Sequence, residues 1–298
     1  MTSQPFIQLS IRITHPILRF SFGWLALAGI ITSSHPLNPV SLSQILLLWL
    51  LIEPLWGTLW SLGVNQRMLY HLLTVPLPAP VSTGFTIPYA QHGSVAGQLV
   101  IWIRRQQAQT EIAQQAGLVS GSVIMLMALL LSFYLSETAF LITLLAIVLM
   151  LMLSLTPPAI ESPSTSPTPL VNLTPYDGLI EAIVQVLLPW LMGLTLFAVL
   201  SPFGLAVGLC LWLIKVGAVR LAMGHHQADK LFLGAQLGLI GLIGWAGYWG
   251  VGFFMILLLL YHAYILQIED YRSQADFVRL AEKQLLVGLL LISFAMGG

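Results

Sequence analysis

Residues 231–267 read LFLGAQLGLIGLIGWAGYWGVGFFMILLLLYHAYILQ. No Asp, Glu, Lys or Arg interrupts them. A helix needs about 20 apolar residues to cross the hydrocarbon core of a bilayer, and this run is long enough for two crossings. We divide it into spans at 231–247 and 250–267, joined by a tight turn. Helices joined so closely run antiparallel as neighbours.

The same signal recurs on either side. Further apolar segments lie at about 17–33, 41–63, 118–134, 139–155, 179–199, 202–220 and 284–297. The last is short, and its start is open to the residues before Gln284. The expectation is an all-α, polytopic membrane protein of about nine transmembrane helices. It forms one bundle over 1–298, with halves at about 1–155 and 179–298. The segment 156–178 between them is rich in Pro, Ser and Thr, a composition that builds no core and reads as a tether. A second long connection, about 64–117, passes through Pro76, Pro78, Pro80 and Pro88 to the polar run Arg104–Glu111, which suits a helix projecting from the bilayer.

Composition agrees. Of 298 residues 57% are apolar and 7% charged, with mean hydropathy +0.90. An ordinary soluble domain is about a quarter charged, so this chain cannot cover a water-facing surface. Disordered chains are apolar-poor and charge-rich, the opposite of what is seen. The single cysteine, Cys210, excludes a disulfide framework and any cysteine-based zinc or iron–sulfur site. Nothing points to nucleic acid.

Lys and Arg orient the bundle through the positive-inside rule. With nine spans and a cytoplasmic N-terminus, all 11 basic residues fall on the cytoplasmic side and the opposite loops hold none. Ala26-Leu27-Ala28 imitates a signal cleavage site, but only six residues separate it from Arg19, too few for a signal's apolar region. The segment is retained as the first span. Asn172-Leu173-Thr174 matches a glycosylation acceptor but falls inside in this topology.

Gly238, Gly241, Gly244, Gly247 and Gly250 recur every third residue. On a helix they trace a small-residue ridge, read first as a seam for close packing of another helix and second as a bed for a lipid or ring. Gly117 and Gly121 make a weaker pair.

Several stretches resemble the UbiA superfamily of intramembrane prenyltransferases. Ser154-Leu155-Thr156-Pro157-Pro158 is similar to the turn that closes that family's fourth helix. Leu188-Pro189-Trp190-Leu191-Met192-Gly193 is similar to its Pro/Gly-interrupted fifth helix. Asp229 to Gly238 resembles the opening of its seventh, and Gln267 to Gly288 its amphipathic segment and final helix. The resemblance covers most of the chain and rests on the order of these stretches. It implies a protein that binds an isoprenyl diphosphate through Mg²⁺, held by two Asp-rich motifs in the loops after spans two and six. Mg²⁺ takes hard oxygen ligands, which is why that chemistry needs clustered carboxylates.

The carboxylates are missing. Asn65-Gln66-Arg67-Met68-Leu69 stands where the first motif is expected, with only the Asn retained. No acidic residue lies between Glu53 and Glu111, and from Lys215 to Lys230 the only one is Asp229. The expectation is therefore a prenyltransferase-like protein, catalytically impaired, that binds an isoprenoid, quinone or pigment-tail lipid. Mg²⁺ is expected only if transfer persists. Two alternatives stand beside it: a structural or assembly subunit of a larger membrane complex, and an active enzyme with a non-standard metal site using Glu53 and Asp229. No inverted repeat supports a transporter.

No catalytic residue is assigned and no metal ligand set is complete. The lipid- or phosphate-binding candidates are Glu53, Asn65, Gln66, Arg67, Arg104, Arg105, Lys215, Arg220 and Asp229. The cations face the side where the family cups its diphosphate; the bland reading is that they set topology. Glu53 precedes Pro54 inside a span, where an ionisable residue is a functional candidate by default, and Trp49, Trp56 and Trp60 could line a pocket beside it. The bland reading is a paired Glu at a proline kink. His225-His226 with Asp229 lacks a further ligand for a metal. His262, between Tyr261 and Tyr264, could hold a haem or chlorophyll but reads better as a packed, hydrogen-bonded histidine. The mixed charges from Glu269 to Lys283 suit a solvated surface helix.

Overall fold

The structure is a computed structural model that describes residues 22–33, 39–61, 112–156, 175–197, 200–225, 227–267 and 274–297. Among these there is helix and turn and no strand.

Helices occupy each of the nine segments read from the sequence. They are α1 (Phe22–Thr32), α2 (Pro39–Leu50, a π turn Leu51–Trp56, then Gly57–Trp60), α3 (Ile112–Leu135), α4 (Glu137–Leu155), α5 (Pro175–Ala182, a π turn Ile183–Leu187, then Leu188–Thr195), α6 (Pro202–Ala222), α7 (Ala228–Trp245), α8 (Trp249–Gln267) and α9 (Gln274–Gly297). Six stretches are long and apolar enough to cross a membrane: Ser41–Trp60, Glu137–Leu155, Gly178–Thr195, Pro202–Ala222, Trp249–Gln267 and Leu280–Gly297.

The starts and stops are locally encoded. Ser136 accepts a hydrogen bond from the Ala139 N–H at 3.0 Å and caps α4. Ser201 does the same for α6 with the Gly204 N–H at 3.0 Å, and Pro202 follows where its missing N–H costs nothing. Two helices end on a glycine. After α7, the Tyr248 N–H donates to the Ile243 carbonyl and the Gly247 N–H to that of Gly244, with Gly247 at φ 87. After α6, the His225 and Gly224 N–H groups repeat the pattern on Arg220 and Leu221. A Cβ would strain this left-handed position, so Gly247 is a helix stop and not part of a ridge.

Both π turns are associated with a proline. Pro54 lies inside the first, and Pro189 follows the second by two residues. Proline has no N–H for the preceding turn and its ring crowds that turn's carbonyl, and a local widening accommodates both defects.

Packing falls into two adjoining groups. In the first, α2 lies on α3, α3 on α4, α4 on α5, and α1 closes the circle between α2 and α5. In the second, α6, α7, α8 and α9 pack in sequence and α9 returns to α6. Helices α1 and α5 form the seam, since α1 also touches α9 and α5 touches α6. The first group's core holds Trp56, Trp60, Leu51, Met150 and Val184; the second's holds Trp190, Phe232, Phe277, Leu211 and Leu239. The outer surface is just as apolar, with Leu126, Leu130, Phe133, Leu141 and Phe253 exposed, while Thr143, Glu181, Gln236 and His262 are buried. Polar groups inside and hydrocarbon outside is the distribution for a chain whose solvent is lipid.

The expected glycine seam on α7 is not where helices meet. A Cβ on Gly234, Gly241 or Gly250 would meet nothing within 4 Å, and one on Gly238 only the Cys210 sulfur at 3.7 Å. The close approaches use glycines elsewhere. A Cβ on Gly29 would stand 2.6 Å from the Trp190 carbonyl oxygen, and one on Gly193 would press into the Ala26 carbonyl, so α1 and α5 touch backbone to backbone. Gly217 gives α6 the same access to Phe232 of α7, at 2.8 Å. The mixed-charge run also differs from expectation. Its part from Gln274 onward is continuous with the last span in one 24-residue helix, and Phe277, Val278 and Ala281 are buried.

Candidate functional site

Of the nine candidates, Asn65, Gln66, Arg67, Arg104 and Arg105 lie outside the described residues, as do His226 and the tether. Glu53, Lys215, Arg220 and Asp229 are placed.

Glu53 sits in the π turn of α2, half-buried, against the first described turn of α1. The Gly23 N–H donates to its Oε2 at 2.8 Å. Gly23 is what admits the carboxylate: a Cβ there would stand 2.8 Å from both Glu53 Oε2 and Trp49 Nε1. N–H groups in a helix's first turn lack partners within the helix, and a carboxylate among them is favoured. The three tryptophans stand at helical spacing around Glu53. Trp49 is 40% exposed, Trp56 is fully buried, and Trp60 is buried edge-on to Phe22 at 6.3 Å between centroids. The Trp56 indole Nε1 has no hydrogen-bond partner.

Lys215 points inward rather than toward a free anion. Its Nζ donates to Glu282 Oε1 of α9 at 2.7 Å, with both side chains largely buried. The charged run before the last span is therefore not wholly a solvated face, because Glu282 ties α9 to α6. Arg220 lies in the last turn of α6 and Asp229 in the first turn of α7, each with the sign that suits the partial charge of that helix end. Among the described residues no three of His, Cys, Asp and Glu gather as a metal site. Glu53 belongs to the first packing group and Asp229 opens a helix of the second.

His262 is completely buried in α8. Its Nδ1 is 3.1 Å from the Gln236 amide of α7 and its Nε2 is 2.9 Å from Gln284 Oε1 of α9. A neutral imidazole donates through one nitrogen and accepts through the other. Gln236 is the amide that turns its NH₂ to the ring, because that group otherwise has no partner. The chain of donors then runs from Gln236 to His262 to Gln284. Phe232 and Phe277 pack on the ring at 5.6 and 5.8 Å. With both nitrogens engaged, His262 joins three helices and offers no free nitrogen to a haem or chlorophyll.

Sequence reasoning passed over two features. Glu181 lies inside a candidate span, is 6% exposed, and accepts from Gln185 Nε2 at 2.9 Å just before the second π turn. The rule that singled out Glu53 also applies to it. Gln236 and Gln284 carried no comparable signal, since an amide in an apolar run becomes notable only when its partner on another helix is known.

In comparisons with protein-family models, with curated proteins and with solved structures, nothing matches this chain.

Proposed function

We propose that this is a nine-span membrane protein of UbiA type, N-terminus in the cytoplasm, that holds a lipid with an isoprenoid, quinone or pigment tail and does not transfer the prenyl group. The observation that carries the reading is Glu53: a half-buried carboxylate in a membrane-length helix, at a π turn, flanked by three tryptophans. Such a residue is expensive in a bilayer and marks a functional site by default, and π turns concentrate at such sites. The lack of transfer rests on the carboxylate-poor loops and on Lys215, which is paired with Glu282. Chain extracted in mild detergent should carry a prenyl-tailed lipid detectable by mass spectrometry. It should transfer nothing when given Mg²⁺, a labelled prenyl diphosphate and aromatic acceptors. Robust Mg²⁺-dependent transfer would refute the reading.

A second reading, an assembly subunit, is favoured by the outer face of α7. There Gly234, Gly241, Leu237 and Trp245 are turned away from every helix of this chain. A cysteine at Gly241, after Cys210→Ala, should then cross-link to a partner in native membranes. A lone monomer under the same conditions argues against this reading.

A further inference from the structure

On the reading that the bundle holds a prenyl-tailed lipid, the surroundings of Glu53 say which polar group that lipid carries. Glu53 Oε2 is engaged by the Gly23 N–H, and its other oxygen has no partner among the described residues. Three residues on, Trp56 is fully buried and its indole N–H has no acceptor. Residues three apart on a helix are neighbours on one face. An unmet acceptor thus lies beside an unmet buried donor, a combination that folded proteins seldom leave unfilled. A carbonyl would satisfy only the indole, and an ammonium only the carboxylate. A hydroxyl satisfies both, since it carries one proton to give and lone pairs to receive. We propose that Glu53 and Trp56 form the head-group site for a hydroxyl-bearing lipid. The hydroxyl donates to the free Glu53 oxygen and accepts from the Trp56 Nε1–H. Phe22 and Trp60 supply apolar walls, and the half-exposed Trp49, one turn before Glu53, marks the side open to the bilayer.

The test uses the full chain in phosphatidylcholine nanodiscs with tritiated farnesol as the probe and farnesyl methyl ether as its capped counterpart. The ether keeps the tail and loses the proton to donate, and should bind about tenfold more weakly, the equivalent of about 1.4 kcal/mol. Trp56→Phe keeps an aromatic ring and loses only the N–H, and should weaken farnesol about tenfold. Glu53→Gln preserves an acceptor for the Gly23 N–H and should weaken it similarly, whereas Gly241→Ala should bind like the parent. Equal binding of farnesol and its ether, or undiminished binding by Trp56→Phe, overturns the hydroxyl site and leaves the prenyl-lipid reading standing. A parent chain that binds neither compound overturns both.

Discussion

Alanine at Gly193 and alanine at Gly241 should have opposite effects, although both glycines lie within apolar helices of the same bundle. Glycine in a helix interior costs about 0.5–1 kcal/mol relative to alanine, so each substitution starts with that gain. At Gly241 nothing opposes it, because the added methyl meets no atom within 4 Å. At Gly193 the methyl would be driven into the Ala26 backbone, with the carbonyl carbon 2.9 Å and the Cα 3.0 Å away. Backbone cannot move aside by changing rotamer, so α1 and α5 would have to part by about 1 Å. A gap of that size forfeits roughly a quarter to a half of each dispersion contact along the seam. Overpacking typically costs about 1–3 kcal/mol, and with no side chain free to yield the upper end applies. The two variants should therefore differ by about 3 kcal/mol, or about 6–12 °C in melting temperature for a chain of this class. Thermal melting in detergent, followed by tryptophan fluorescence, reads the difference directly. If Gly193→Ala melts with Gly241→Ala or above it, the backbone contact between α1 and α5 is refuted.

Lys215→Met should leave Glu282 largely buried without its cation and cost about 3 kcal/mol, the low end for breaking a buried pair; Lys215→Met with Glu282→Leu should recover much of it in the same melting assay. Trp190→Phe removes the indole donor to the Gly204 carbonyl at 2.9 Å and should cost about 1 kcal/mol beyond the change in ring size, read as an earlier denaturant midpoint. His262→Ala should destabilise by about 3 kcal/mol or more, since it opens a cavity and strands two buried amides. Haemin added to the parent protein should show no Soret shift attributable to His262.

Much of the fold was legible because helix length and apolarity are local properties. The run at 231–267 was divided at 247/250, and α7 and α8 turn there, at Gly247. Ser136 and Ser201 sit where short connections were read. The limit of legibility appears at the glycines. Spacing shows which residues share a helical face, but not whether that face meets a helix or lipid. So the α7 stripe was read as a seam, while Gly29 and Gly193, which have no repeat to announce them, make the contact. The candidate site divides the same way. Glu53 stood out because a carboxylate in an apolar span is conspicuous by itself. Its partner Gly23, thirty residues away, was invisible. Lys215 was read as a free cation because Glu282 lies 67 positions on.

What the sequence alone determined is the all-helical, membrane-seeking character of the chain, the helix boundaries set by serine caps and glycine stops, and the scarcity of carboxylates that argues against diphosphate chemistry. Each follows from the solvation and backbone preference of residues close together in the chain. The tertiary structure alone decided which way those helices face. It paired Lys215 with Glu282, enclosed His262 between two glutamines, pressed α1 onto α5 and turned the α7 glycines outward. In a bilayer the burial of apolar surface does not choose among helix faces, because lipid is as apolar as the core. The choice falls to close packing and interhelical hydrogen bonds, which exist only once distant segments meet.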